Sequence, residues 1–216
     1  MPVFHCSAIL FDLDGVLVDS TRSVERQYRR WSEENGLDPA KVLQISHGVR
    51  AVEVVHAIAP HLDAVEETRK IEQWEANDRD GVGIMPGAAE LIKALPLDRW
   101  CVVTSGTRSL ATARLLWAGI PIPSEFVTAD DVQKGKPDPT PYLKGAALLG
   151  FDPEECLAIE DAPAGVKSAR AAGIKVIALT STFPANALQE ADAIIARLGQ
   201  IRASVTSSNG LEVIVS

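Results

Sequence analysis

The stretch Phe11-Asp12-Leu13-Asp14-Gly15 places two carboxylates one residue apart, directly after the apolar run Ala8-Ile9-Leu10-Phe11. Side chains repeat every second residue on an extended segment, so Asp12 and Asp14 project to the same side. Carboxylates at the end of a buried strand are costly unless a cation or a reaction holds them there. Like charges this close also push their pKa values apart, so one can be the anion while its neighbour works as an acid. The chemistry this permits is a nucleophile, a general acid/base and a divalent-cation ligand within a few residues.

Three further constellations follow along the chain. Val102-Val103-Thr104-Ser105-Gly106 ends an apolar run in a hydroxyl and a glycine, suited to hold a phosphoryl oxygen through Oγ and a backbone N–H. Gly135-Lys136-Pro137-Asp138-Pro139 sets a lysine in a loop stiffened by two prolines. Leu157-Ala158-Ile159-Glu160-Asp161 puts a second acidic pair at a second apolar strand end, with Pro163 opening the next helix. Taken singly, a Ser-Gly strand end or a turn lysine is ordinary. Two acidic strand ends together could share one hard cation such as Mg²⁺, which takes carboxylate and carbonyl oxygens.

The elements that must position these residues follow from periodicity. Strands are expected at Ala8–Phe11, Trp100–Thr104, Phe126–Thr128, Leu157–Ile159, Val176–Leu179 and Ala193–Ile195. Helices are expected at Ala88–Leu95, Ser109–Trp117, Thr140–Leu149, Ala164–Ala172 and Ala185–Ala191. Strand–helix alternation implies right-handed crossovers, a parallel sheet and helices on both faces. In such a sheet the reactive groups gather beyond the carboxyl ends of the strands, where Asp12, Asp14, Ser105, Glu160 and Asp161 fall. From Ser20 to Gly83 the alternation stops. Val24, Tyr28 and Trp31 keep helical spacing, as do Val52, Val55, Ile58 and Ala59, and the charged Ala64–Asp80 reads as a third, solvent-facing helix. The fold class is therefore α/β, a Rossmann-like core of residues 1–17 and 84–216 with a small all-α unit, residues 18–83, inserted after the first strand. The stretch Gly81–Gly87 reads as a hinge. Ala203–Val215, centred on Asn209-Gly210, reads as an edge hairpin.

Composition excludes several classes. A net charge of −8 over 216 residues argues against a nucleic-acid or anionic-membrane surface. It also requires any phosphate-bearing ligand to find a locally positive pocket in an acidic body. No apolar run approaches the roughly 18 residues of a membrane span, and the first residues lack the pattern of a secretory signal. Cys6, Cys101 and Cys156 lie in or beside apolar runs and read as reduced, buried thiols of a cytoplasmic protein.

In this order, Asp-x-Asp-Gly, the strand-end Ser, the loop Lys and the Glu-Asp pair resemble the haloacid dehalogenase-like superfamily of phosphohydrolases. The helical insert looks like that superfamily's small helical cap. The resemblance implies an Mg²⁺-dependent phosphatase working through an aspartyl-phosphate. Asp12 would be nucleophile and Asp14 acid/base; Ser105, Gly106 and Lys136 would clamp phosphate; Asp12, Asp14, Glu160 and Asp161 would form the metal side, Asp14 through its carbonyl. Ser46-His47-Gly48-Val49-Arg50 looks like the His-Gly-x-Arg segment of phosphatases acting on small sugar and polyol phosphates, which makes Arg50 a candidate to reach the substrate or else a surface pair. Glu72 is a further candidate or else a solvated helix-face carboxylate, and His47 reads as structural. The implied partner is a small phosphorylated metabolite.

A sugar phosphomutase of the same superfamily is the nearest alternative. Its members use a His in the first cap helix, and this chain has none between Ser20 and Asn35. A receiver-like phospho-acceptor module is more distant; the insert and the acid at Asp14 disfavour it.

Overall fold

The computed structural model describes every residue except Ser208. Its centre is a six-stranded parallel sheet in the order β6-β5-β2-β7-β8-β9. The strands are β2 (Ala8–Phe11), β5 (Trp100–Val103), β6 (Phe126–Val127), β7 (Cys156–Glu160), β8 (Lys175–Leu179) and β9 (Ala193–Ile195). All four residues of β2 are buried, as a strand covered on both faces requires. Its side chains alternate between two hydrophobic clusters. Ile9 and Phe11 join Trp100, Val102 and Leu157 on one side, packed by α5 (Ala88–Lys93) and α6 (Arg108–Ala118). Ala8 and Leu10 join Cys101 and Val103 on the other, packed by α7 (Thr140–Leu149) and α8 (Pro163–Ala171). The sheet therefore has helices on both faces, as the alternation predicts.

The connections run from β2 towards β5 and β6, then cross back to β7, so the order reverses beside β2. That reversal opens a crevice at the carboxyl ends of β2, β5 and β7, the usual place for a ligand in an open parallel sheet.

The predicted C-terminal hairpin forms between β10 (Ile201–Val205) and β11 (Leu211–Val215). It is not an edge unit: β1 (Val3–Cys6) pairs antiparallel with β11, making β11 the middle strand of three. The helix expected over Ala185–Ala191 is only a single 3-10 turn, Ala185–Ala187. Its backbone bonds, Ala187 to Pro184 and Leu188 to Ala185, span three residues. Leu188 alone of this stretch is buried, so no apolar helical face is available to stabilise a longer helix.

Residues between β2 and α5 form four helices rather than three: α1 (Thr21–Glu34), α2 (Pro39–Ser46), α3 (Ala51–Ile58) and α4 (Ala64–Glu75). The missed α2 is short but well signalled, with Asp38 capping Ala40 and Pro39 in the first turn. Tyr28, Trp31, Val42, Val54, Val55 and Ile71 make a separate core for the four helices. Trp31 Nε1 donates to Glu67 Oε2 at 2.8 Å, so the large ring is buried with its polar atom satisfied. The two connections to the sheet are zipped together: β3 (Val18–Asp19) pairs antiparallel with β4 (Gly83–Ile84). No helix among the described residues is long and apolar enough to cross a membrane.

Candidate active site

β2 ends at Phe11 and the next residue, Asp12, is buried; its backbone N–H continues the ladder to Ile159 O of β7. β7 ends in Glu160 and is followed by Asp161, both buried. The adjacent strands thus deliver three carboxylates to one point, and oxygens of Asp12, Glu160 and Asp161 lie within 4.8 Å of one another. Lys136 reaches this point from the β6–α7 connection with its side chain 1 % exposed. Its Nζ donates to Asp12 Oδ1 at 2.5 Å, Glu160 Oε1 at 2.6 Å and Val103 O at 2.9 Å. The apolar stem of Lys136 is fully enclosed, so the loop lysine of the sequence is in fact the central cation of the core.

Glu160 is held on every side. Oε1 also accepts from Tyr142 Oη at 2.7 Å, and Oε2 accepts from the N–H groups of Asp161 and Ala162. Gly165, one turn into α8, lies so close to this carboxylate that a Cβ there would overlap it. Gly15 plays the same part on the other side. It has φ of 79°, and a Cβ would run into the carboxylate of Asp161 and the Thr182 hydroxyl.

Burial, with Glu160 and Asp14 adding to it against Lys136, pushes Asp12 up to about 7. Burial and the same crowd of carboxylates hold Asp161 well above the ordinary carboxylate range. Lys136 is driven the other way. Burial disfavours its charge, but Asp12 and Glu160 beside it more than offset this and raise its pKa. One lysine does not neutralise three buried carboxylates, and Asp161 has no ion-pair partner among the described residues. The residual negative charge and the all-oxygen donor set fit a hard divalent cation such as Mg²⁺.

Asp14 is not one of the three clustered carboxylates. Its Oδ1 accepts from Ser20 Oγ and its Oδ2 from Arg114 Nη1, each at 2.6 Å. Both of its carboxylate oxygens are thus engaged, one by Ser20 and one by Arg114. Thr104 and Ser105 follow β5, and Gly106 N donates to Thr104 Oγ1 at 3.1 Å. Ser105 Oγ donates to Gly48 O of the helical insert.

Asp12, Asp14, Thr104, Ser105, Gly106 and Asp161 line one cavity between the strand ends and the insert, with Lys136 and Glu160 buried behind them. Its upper wall includes Tyr28 of α1, His47 and Gly48 of the α2–α3 turn, and Glu72 and Glu75 of α4. Arg50 does not line it. Its Nη1 and Nη2 donate to Val132 O and Gln133 O at 3.1 and 2.9 Å, and its Nε and Nη2 to Glu53 Oε1. In this arrangement Arg50 grips the loop that carries Lys136. Arg50 occupies the N-cap position of α3, and these bonds hold its guanidinium on the loop.

The solvent-facing reading of α4 needs correction. Ala64, Glu67, Ile71 and Glu75 are its buried stripe, and Glu72 borders the cavity beside them. Burial, then neighbouring carboxylates, raise both Glu72 and Glu75 to about 7. His47 is lowered by burial and stacks edge-on against Phe183. Arg114, absent from the sequence reading, is 3 % exposed and sits on the buried stripe of α6 with Leu110, Ala111 and Leu115. A cation on an apolar helical face was the available signal, as was a carboxylate four residues after Ile71.

A family model described as a haloacid dehalogenase-like hydrolase matches residues 6–173. The chain belongs to this family. Hexitol phosphatase A of Escherichia coli is 42 % identical over 98 % of this chain and 99 % of its own length. Glycerol-1-phosphate phosphohydrolase 2 of Saccharomyces cerevisiae is 37 % identical over 85 % of this chain and 78 % of its own. Among solved structures, a hydrolase from Pseudomonas syringae superposes with a TM-score of 0.82 at 25 % identity, covering 89 % of this chain and 94 % of that one. The enzyme class expected from the four motifs and the architecture of this family member agree.

Proposed function

We propose that the protein is a phosphatase that hydrolyses small sugar or polyol phosphate monoesters through a phosphorylated Asp12. The observation that carries this reading is the buried Asp12–Lys136–Glu160 group beside Asp161, behind a cavity that Asp12 and Asp161 line and whose far wall is the helical insert. The names of its relatives, hexitol, glycerol-1-phosphate and 2-deoxyglucose-6-phosphate phosphatases, point to the same substrate class.

Asp12 and Asp161 would hold Mg²⁺ together with the Asp14 carbonyl; the cation, when bound, offsets the repulsion between an anionic nucleophile and an anionic phosphate. An Asp12 oxygen attacks phosphorus, and the bond from phosphorus to the ester oxygen breaks. Asp14 delivers a proton to that oxygen as it leaves. A water then attacks the phosphorus of the acyl phosphate and gives its proton to Asp14, and the bond to Asp12 breaks, returning Asp12 to its starting state. Lys136 stabilises charge on Asp12 and on the transferring group; Ser105 and Gly106 hold its other oxygens. Glu160, whose oxygens already accept from four donors, fixes Lys136 in place rather than serving chiefly as a ligand. Residues 18–83 act as a cap over the core of residues 1–17 and 84–216, excluding bulk water. The three free, buried cysteines suit a reducing, cytoplasmic setting.

The test is initial rates over polyol, hexose, pentose and triose phosphates and an aryl phosphate, with EDTA and with Mg²⁺ restored. Turnover should vanish in EDTA and in Asp12→Asn. Phosphate trapped on any residue other than Asp12, or full rate in EDTA, contradicts the mechanism. Phosphoryl return to a second sugar hydroxyl would instead mark a mutase; the side chains that α1 places on the cavity wall, Thr21, Val24 and Tyr28, include no proton-transferring His.

A further inference from the structure

Beyond Asp14 the cavity is lined by groups that the phosphoryl chemistry does not use. Arg114 spans them. Its Nη1 is bound to Asp14 Oδ2 at 2.6 Å, and its Nη2 lies 3.3 Å from Glu75 Oε2 without the alignment of a hydrogen bond. Nη2 is thus a fully enclosed donor with no hydrogen-bond partner, although the side chain is only 4 % exposed and borders the cavity. A buried donor left unpaired is costly, and such groups are ordinarily satisfied by water or ligand. Glu72 and Glu75 of α4 and the Tyr28 side chain border the same space.

On the phosphatase reading the leaving oxygen sits against Asp14, and Arg114, Glu75 and Glu72 line the same cavity. We propose that Glu72, Glu75 and Arg114 Nη2 form the leaving-group subsite, which accepts hydroxyls of an uncharged polyhydroxylated chain and rejects a chain bearing a second anion. This rests on the phosphatase reading above. Carboxylate oxygens accept from hydroxyls, and a guanidinium N–H donates to them, so alternate hydroxyls of a polyol find both kinds of partner. An anion meets a different field. Asp14, Glu72 and Glu75 surround a single guanidinium that is already ion-paired to two of them, so the subsite is net negative and enclosed. Like charge in such a site discriminates strongly.

The experiment compares sorbitol 6-phosphate with 6-phosphogluconate, which differ at C1 as carbinol against carboxylate. Assays run at pH 8 with Mg²⁺, with p-nitrophenyl phosphate as a third substrate. The native protein should favour sorbitol 6-phosphate by at least about tenfold in kcat/KM. Glu72→Lys should shrink that preference about tenfold or reverse it, and Glu72→Gln should raise KM for sorbitol 6-phosphate more than it changes kcat. Glu66→Lys makes the same charge change on the solvent face of α4, where Glu66 pairs with Arg69, and should leave the preference in place. Equal use of the two hexose derivatives by the native protein overturns the proposal, as does an equal shift in Glu66→Lys, which would assign the effect to overall charge. Failure to hydrolyse any of the three esters would overturn the phosphatase reading itself, a distinct outcome.

Discussion

Ser105 Oγ donates a 2.9 Å hydrogen bond to the main-chain carbonyl of Gly48. A hydroxyl at the end of β5 is therefore tied to the turn between α2 and α3, and the strand-end group read as a phosphate ligand also touches the insert. A phosphate arriving at Ser105 competes with Gly48 for the same donor. Ser105→Ala should lower kcat/KM by about ten- to a hundredfold, the value of one hydrogen bond to a charged group. The loss should be alike for polyol and aryl phosphates, because both present the same phosphoryl oxygens. A loss confined to polyol substrates would place Ser105 with the leaving group instead.

Arg50 is the second tie between insert and core. It holds Val132 O and Gln133 O, while Glu53 Oε1 accepts from both Arg50 and Gly135 N. Gly135 precedes Lys136, so Arg50 and Glu53 together fix the chain that delivers the central lysine. Arg50→Ala should therefore lower kcat/KM for every substrate alike, by about tenfold, and speed amide exchange over residues 132–135. If only polyol phosphates suffer, Arg50 reaches the substrate after the insert moves, and the grip seen here belongs to one position of the insert.

Among the described residues, Lys136 is the one cation bonded to Asp12 and Glu160. Replacing it strands two buried carboxylates, a change that typically costs about 3–5 kcal/mol. Lys136→Ala should abolish turnover and lower the urea midpoint in EDTA at pH 8. The penalty should shrink at pH 5, where buried, unpaired carboxyls take up protons. Tyr142→Phe, which removes one donor from Glu160, should cost about 1 kcal/mol and retain activity. Unchanged stability of Lys136→Ala at pH 8 would contradict the pairing.

The core of the site was legible because its residues follow buried strands directly. Asp12 after Ala8–Phe11, Ser105 after Trp100–Val103 and Glu160 at the end of β7 take their positions from runs whose burial is plain in the sequence. The crossover rule then brings those ends together. Arg114 and Glu75 were passed over although each falls on an apolar helical stripe, because a charge within a helix is normally solvent-facing, and tertiary packing turns these two inward. Arg50 could be recognised as a residue of interest, but its partners are loop carbonyls more than 80 residues away. β1 was missed since its four residues alternate exposed and buried and gain their pairing solely from β11.

Glu75 supplies a pH dependence of stability that is read without substrate. Burial, with Asp14 and Asp78 adding to it and Arg114 opposing, raises its carboxyl from the ordinary 4.5 to about 7. Between those values the folded chain binds a proton that the unfolded chain releases. The contribution of Glu75 is therefore most favourable below about pH 4.5 and is lost progressively as pH rises towards 7. At roughly 1.4 kcal/mol per unit, the loss amounts to about 3 kcal/mol above pH 7. Glu75→Gln keeps the shape without the ionisation, while Arg114 retains Asp14 as its ion pair. Urea unfolding in EDTA between pH 4.5 and 8 should show the native protein losing stability across this window relative to Glu75→Gln. The two should converge at the acid end, and Glu75→Gln should be the more stable at pH 8. Parallel profiles would mean that Glu75 titrates in the folded chain as it does in the unfolded one.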